Sequence, residues 1–164
     1  MDYFKLFDTK VSLLVDRDAI LKKYYALSRQ FHPDRFTLAG EAAQAEALQM
    51  SALINAAKKV LDDPELRLAY WLKEQKVISD EEKYTLPPVF LGEMMELNEA
   101  VMEAGPDSMS VVRQQVIAQM DALRKNVDGY FEAAELELQA ADLQILKDYY
   151  YKRKYLQRIL DRIS

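Results

Sequence analysis

The stretch Leu27-Ser28-Arg29-Gln30-Phe31-His32-Pro33-Asp34-Arg35-Phe36 ends one amphipathic helix and reverses the chain. Pro33 supplies no amide and pushes His32 out of helical conformations, so the helix stops at about Phe31 and a surface turn follows. Upstream, Ile20, Tyr24, Leu27 and Phe31 recur at spacings of four, three and four, the pattern of one helical face. Asp16 stands where a carboxylate caps the first free amides, with Val15 and Ile20 in the staple positions around it. Downstream, from about Glu41 to Leu61, neither Gly nor Pro interrupts Ala45, Leu48, Ala52, Ile54, Ala57 and Leu61. That run predicts a long helix antiparallel to the first, with alanines permitting close approach. Asp63-Pro64-Glu65 stops it and starts another: Asp63 caps, Pro64 sits where its missing amide is harmless, and Glu65 favours the positive helix end. Leu66, Ala69, Tyr70 and Leu72 are its expected buried side.

Further along, Ser79-Asp80-Glu81-Glu82 and Pro87-Pro88 mark a composition shift that reads as a linker over residues 76–88. Three helical stretches follow. The first runs from Phe90 to Ala104 and ends at Gly105-Pro106. The second opens near Asp107-Ser108 and carries Val112, Val116, Met120, Leu123, Val127 and Tyr130. The third runs from about Leu143 to Ile163, with Asp142 as its cap and Ile145, Tyr149, Leu156, Ile159 and Ile163 inward. The turn before it is expected near residues 138–142, with Gly129 as the competing boundary. No segment alternates like a half-buried strand. The expected fold is all-α: an N-terminal helical hairpin with short flanking helices over residues 1–75, then a three-helix bundle over residues 89–164.

Composition removes whole classes of chemistry. The 164 residues include no Cys and one His, which excludes disulfides, thiol nucleophiles, zinc ribbons and iron–sulfur ligation, and leaves no multi-histidine metal site. There is no Gly-rich phosphate loop and no readable pairing of nucleophile and base, so neither an enzyme nor a resident metal or cofactor is expected. The net charge of -5 falls in the second part: residues 1–75 carry 11 basic and 11 acidic side chains, residues 76–164 carry 11 and 16. That balance does not suit a general nucleic-acid binder. No apolar run approaches the roughly 18 residues of a membrane span, and the start of the chain lacks a signal-peptide pattern. A cytoplasmic protein with no membrane partner is the expectation.

A His-Pro-Asp tripeptide by itself reads as a surface turn in which Asp34 accepts a local hydrogen bond. Its surroundings carry more. An opening Asp2-Tyr3-Phe4, the His32-Pro33-Asp34 signature, Ile54-Asn55-x-Ala57 and the Asp-Pro-x-x-Arg-x-x-Tyr run from Asp63 to Tyr70 together resemble a J-domain, the module by which co-chaperones stimulate ATP hydrolysis in DnaK-type chaperones. The run Arg29 to Phe36, Ser51-Ala52-Leu53-Ile54-Asn55, and the three-helix second part without a Gly/Phe-rich region are similar to one branch, the HscB co-chaperones of iron–sulfur cluster assembly. This resemblance implies that His32, Pro33 and Asp34 engage a DnaK/HscA-type ATPase chaperone, aided by Lys22, Lys23, Arg29 and Arg35. The chain departs from general J-domains where these carry further basic residues: here stand Gln30, Ala26 and Tyr25. The basic face is thin.

In the helix from Phe90 to Ala104, the seam Phe90, Met94, Leu97 and Val101 already satisfies a bundle. Leu91 and Met95 lie on a neighbouring stripe continued by Glu99 and Glu103, with Glu96 beside it, either as the edge of a broad core face or as a partner-binding patch rimmed by acids. The resemblance implies the second: an IscU-type iron–sulfur cluster scaffold docks on Leu91, Met95, Glu96, Glu99, Glu103 and an aromatic of the last helix, best matched by Tyr155. Gly92 stands where a larger apolar residue is common. The last helix interleaves Lys147, Lys152, Arg153, Lys154, Arg158 and Arg162 with Tyr149, Tyr150 and Tyr151. That pattern is open to nucleic-acid binding, but reads better as a solvated face paired with the acidic helix of the bundle. The expectation is a co-chaperone that stimulates the chaperone ATPase and delivers the scaffold. The alternatives are a J-protein with a different client and a helical nucleic-acid adaptor.

Overall fold

Eight α-helices and one 3-10 turn make up the regular structure of residues 2–134 and 138–164, which the computed structural model describes, and no strand occurs among these residues. The chain divides into two units, residues 1–74 with 131–136, and residues 75–130 with 137–164.

The first unit contains α1 (Tyr3–Leu6), α2 (Arg17–Gln30), the 3-10 turn Pro33–Phe36, α3 (Glu41–Asp62) and α4 (Pro64–Glu74). Three aspartates start its helices. Asp2 accepts from the Phe4 amide at 2.9 Å, Asp16 from Asp18 and Ala19 at 3.0 and 3.1 Å, and Asp63 from Glu65 and Leu66 at 2.8 and 3.0 Å. Each satisfies donors that the helix itself leaves free. Gly40, at φ +94°, makes the entry into α3 that a residue with a Cβ adopts only under strain. Helices α2 and α3 form the hairpin, and the Tyr24 hydroxyl donates to Asn55 Oδ1 at 2.9 Å between them.

The phase of α3 differs from the expected one in its first half. Ala45, Leu48 and Ala52 face solvent, and the inward row is Ala43, Ala47, Met50, Ile54, Ala57 and Leu61, at spacings of four and three. Alanine occurs on both sides of this helix, and of the expected row only Ile54, Ala57 and Leu61 are buried. In α4, Leu66 is exposed, while Leu68, Trp71, Leu72 and Arg67 are buried. The Arg67 guanidinium donates from Nε to the Leu13 carbonyl at 2.8 Å and from Nη1 to the Leu61 carbonyl at the end of α3. Tyr70 stacks on Tyr3, centroids 4.5 Å apart, and its hydroxyl accepts from the Tyr3 amide at 3.1 Å. The opening tripeptide and the run after Asp63 therefore meet.

The second unit is built on α5 (Pro88–Glu103), α6 (Met109–Lys125) and α8 (Ala140–Ile163). Phe90, Met94 and Leu97 from α5, Val112 and Val116 from α6, and Leu156, Ile159 and Ile163 from α8 form one core, with Val101 packed against it. The connection between α6 and α8 corrects the sequence reading. Helix α6 stops at Lys125 with Asn126 as its cap residue, a short α7 (Asp128–Glu132) follows, and α8 begins at Ala140. Asp142 is inside α8, where its carboxylate accepts from the Gln139 amide at 2.8 Å and the Tyr130 hydroxyl at 2.7 Å. Those bonds, the tyrosine's first, hold its carboxyl below the usual range. Ile145 faces out and Leu146 takes the inward place.

Within residues 76–88, expected as a linker, Glu82 and Tyr84 are held to α8, and Pro88 already begins α5. Ile78 is buried. Glu82 accepts from Lys147 and from the Tyr151 hydroxyl at 2.7 Å, and Tyr84 stacks on Tyr151 with centroids 4.5 Å apart. The Tyr84 hydroxyl donates to Asp148 at 3.1 Å.

Candidate functional site

The turn after α2 is fixed by its own backbone. His32 has the extended conformation (φ -63°, ψ 127°) that a following proline imposes. Its Nδ1 accepts from the Asp34 amide at 3.3 Å. The expected local bond to the Asp34 carboxylate is thus replaced by one to the His32 ring, with Asp34 Oδ2 3.6 Å from the same nitrogen. Both side chains are displayed, His32 57% and Asp34 87% exposed. Arg35 reaches back from Nη1 to the Arg29 carbonyl at 3.1 Å and satisfies an end of α2.

Tyr25, Ser28, Arg29, His32 and Arg35 line one shallow groove of about 370 Å³. Lys22 is exposed, three residues before Tyr25 on the same side of α2. Lys23 points elsewhere and pairs with Asp8. Three of the four expected cations, Lys22, Arg29 and Arg35, thus share with His32 the face that ends in Pro33 and Asp34; Lys23 is turned away from it.

On α5, the inward seam leaves Leu91 and Met95 outside the core, 39% and 66% exposed. Glu96, Glu99 and Glu103 are exposed as well. The row 91, 95, 99, 103 does not stay on one stripe. Steps of four residues advance about 40° each, which carries Glu103 about 120° around the helix from Leu91. The straight stripe is Leu91, Met95, Asn98 and Met102. Asn98 Nδ2 donates to the Tyr155 hydroxyl at 3.3 Å, and its Oδ1 accepts from Arg162 at 2.8 Å. Tyr155 is half-buried, edge-on to Phe90 at 6.3 Å. A groove of about 510 Å³ follows, lined by Asn98, Met102, Tyr155, Arg158, Ile159 and Arg162. Sequence reasoning missed Asn98, Met102, Arg158 and Arg162 as lining residues; alternating steps of four and three from Leu91 point to the first two.

The basic, tyrosine-rich run of α8 is divided among partners. Lys147 pairs with Glu82 and Lys152 with Asp148, Tyr149 is buried, and Tyr151 lies under Tyr84. The ion-pair partners of Lys147 and Lys152 lie in the 79–84 segment and in α8 itself, whereas the contacts to α5 are made through uncharged groups: Arg162 donates to Asn98, and Lys152 lies over the Phe90 ring. Among the described residues, no group of three His, Asp or Glu side chains is arranged to hold a metal ion, and no helix is long and apolar enough to cross a membrane.

Two families match complementary parts of the chain: the DnaJ domain over residues 2–70 and the HSCB C-terminal oligomerisation domain over residues 86–164. Co-chaperone protein HscB homologs from Neisseria meningitidis strains are 38% identical over 103 residues, a stretch covering 62% of this chain and 62% of theirs. The chain is thus aligned with under two thirds of those relatives' length. Human co-chaperone protein HscB superposes with a TM-score of 0.82 at 30% identity, over 99% of this chain and 80% of the human one. Chaperone HscB from Vibrio cholerae gives 0.74 at 26% identity, over 99% and 95%. With a DnaJ domain followed by an HscB C-terminal domain, and with human HscB superposed on 99% of this chain at 30% identity, the chain belongs to the HscB family of J-domain co-chaperones.

Proposed function

We propose that this protein stimulates the ATPase of a DnaK/HscA-type chaperone through the His32-Pro33-Asp34 turn and brings an IscU-type iron–sulfur scaffold to it on the α5 face. The observation that carries the reading is the turn: His32 and Asp34 are exposed, held by their own hydrogen bonds, and set beside Arg29 and Arg35 on one groove. A rigid, charged feature of this kind loses little conformational entropy on docking. The second support is the apolar pair Leu91 and Met95, left uncovered by a bundle whose core is complete without them.

The mechanism is tethering. A client bound weakly by one unit is raised in local concentration at the chaperone engaged by the other, with no covalent chemistry by this chain. HscB and DnaJ families are not families of catalytic enzymes. Steady-state ATPase of the chaperone, with this protein and the scaffold added separately and together, tests the reading. Stimulation by the protein alone, and a greater effect with scaffold than the two separate effects combined, is expected. No stimulation under either condition overturns it.

A further inference from the structure

The groove between α5 and α8 has a charge order that the exposed apolar pair does not explain. On one flank of the stripe Leu91, Met95, Asn98 and Met102 stand Glu99 and Glu103 from the same helix. On the other, across the groove, stand Arg158 and Arg162 from α8. Between them the surface is apolar, with Met102 81% exposed and Ile159 and Tyr155 forming the bottom. Acid, apolar floor and arginine therefore follow one another across a single surface.

The arginine wall is built. Asn98 ties Arg162 and Tyr155 together, accepting from the first and donating to the second. Asp161, the acid nearest these arginines in sequence, is engaged by Gln157 at 2.9 Å. An Arg162 guanidinium with one bond to Asn98 keeps further N–H donors, and the arginine fork matches a carboxylate in two parallel bonds.

We infer that the scaffold's footprint continues past Leu91 and Met95 into this groove, where a scaffold segment presents an acidic side chain to Arg158 and Arg162 and an apolar side chain to Met102 and Ile159. This deepens, and rests on, the reading of the α5 face as the scaffold site. The occupant's chemistry follows from complementarity: carboxylate toward α8, cation toward Glu99 and Glu103, apolar group between. A dipolar surface of this order also fixes direction, because a partner docked the other way round sets like charges against each other.

Calorimetric titration of the full chain with the purified scaffold of the same organism, at low and physiological salt, provides the test. Arg158→Glu is expected to weaken binding about tenfold or more at low salt, with a gap that narrows as salt rises. Arg158→Gln should fall between it and the wild type, and supplies the reading should the reversal disturb folding. The Leu91→Ala, Met95→Ala variant runs beside them. If that variant loses binding while both Arg158 variants bind like wild type, the groove is not part of the footprint and the scaffold reading stands. If the wild type does not bind the scaffold, the scaffold reading fails and this inference with it.

Discussion

Arg67 Nε and the Leu13 carbonyl are 2.8 Å apart although 54 positions separate them. The same buried guanidinium also donates to Leu61 at the C-terminal end of α3. One side chain therefore serves three segments: α4, the end of α3, and the strand of irregular chain before α2. A cation can be buried here because carbonyl oxygens replace the water it loses.

Arg67→Ala should destabilise the first unit by about 3 kcal/mol, since hydrogen bonds to charged groups contribute about 1.5–3 kcal/mol and two buried carbonyls lose their donor. Arg67→Lys should recover little, because a single tetrahedral ammonium cannot place two nitrogens on the two carbonyls as the planar guanidinium does. Urea denaturation followed by Trp71 fluorescence reads this unit selectively, Trp71 being the chain's single tryptophan and buried. An unchanged midpoint contradicts the assignment.

The turn behaves oppositely. His32→Gln and Asp34→Asn alter exposed side chains outside any core, and such changes typically cost within about 0.5 kcal/mol. Melting should barely move, whereas stimulation of the chaperone ATPase should be abolished. Variants that stimulate normally would remove the basis of the proposed chaperone contact.

Acid should loosen the 79–84 segment from α8. Glu82 is held below the usual glutamate range by its hydrogen bonds from Lys147 and Tyr151, the lysine's first. A depressed carboxylate contributes stability above its unfolded range, and loses it as pH falls through the folded value. The stability difference between wild type and Glu82→Gln should accordingly be largest near neutrality and shrink as pH drops below about 4.3, the ordinary glutamate value. Denaturation midpoints of both proteins from pH 7 to pH 3 check this; parallel curves contradict it.

Gly92 lies on the exposed side of α5, and a Cβ built there meets nothing within 4 Å. Gly92→Ala should therefore stabilise the helix by about 0.5–1 kcal/mol through reduced backbone freedom in the unfolded chain. A rise in melting temperature of the second unit is the expected result, and a fall would show a hidden requirement for glycine.

How much of this was legible in sequence depended on whether the signal was local. Pro33 and the caps at Asp16 and Asp63 act within three residues of themselves, and the helices they delimit were read closely. The seam Phe90, Met94, Leu97 and Val101 was equally plain, because its spacings of four, three and four keep large apolar residues in phase along one face. The phase of α3 was not, since Ala42, Ala43, Ala45, Ala47, Ala52, Ala56 and Ala57 decorate most of its circumference. The end of α6 at Lys125 carries neither Gly nor Pro. Glu82 and Tyr84 were hidden in a polar stretch because their significance depends on Lys147, Asp148 and Tyr151, over 60 residues away. The α5/α8 groove was invisible for the same reason: Met102 and Arg158 become neighbours only when the bundle closes.

Leu91 and Met95 separate an uncovered patch from a core edge by energetics. Truncating buried core residues of this size costs about 2–5 kcal/mol each, whereas removing exposed ones costs little. At 39% and 66% exposure, the double variant Leu91→Ala, Met95→Ala should melt close to wild type. An interface anchor typically contributes about 2 kcal/mol or more, so losing both should reduce scaffold affinity by more than about a thousandfold if they act independently. Tyr155→Ala should differ in kind: it removes an edge contact to Phe90 and the hydroxyl that Asn98 donates to, and so should lower both affinity and melting temperature. Basal stimulation of the chaperone should persist in the double variant, because the His32 turn is untouched. A double variant that melts normally, binds the scaffold as wild type does and still stimulates the chaperone would place the client elsewhere on the molecule.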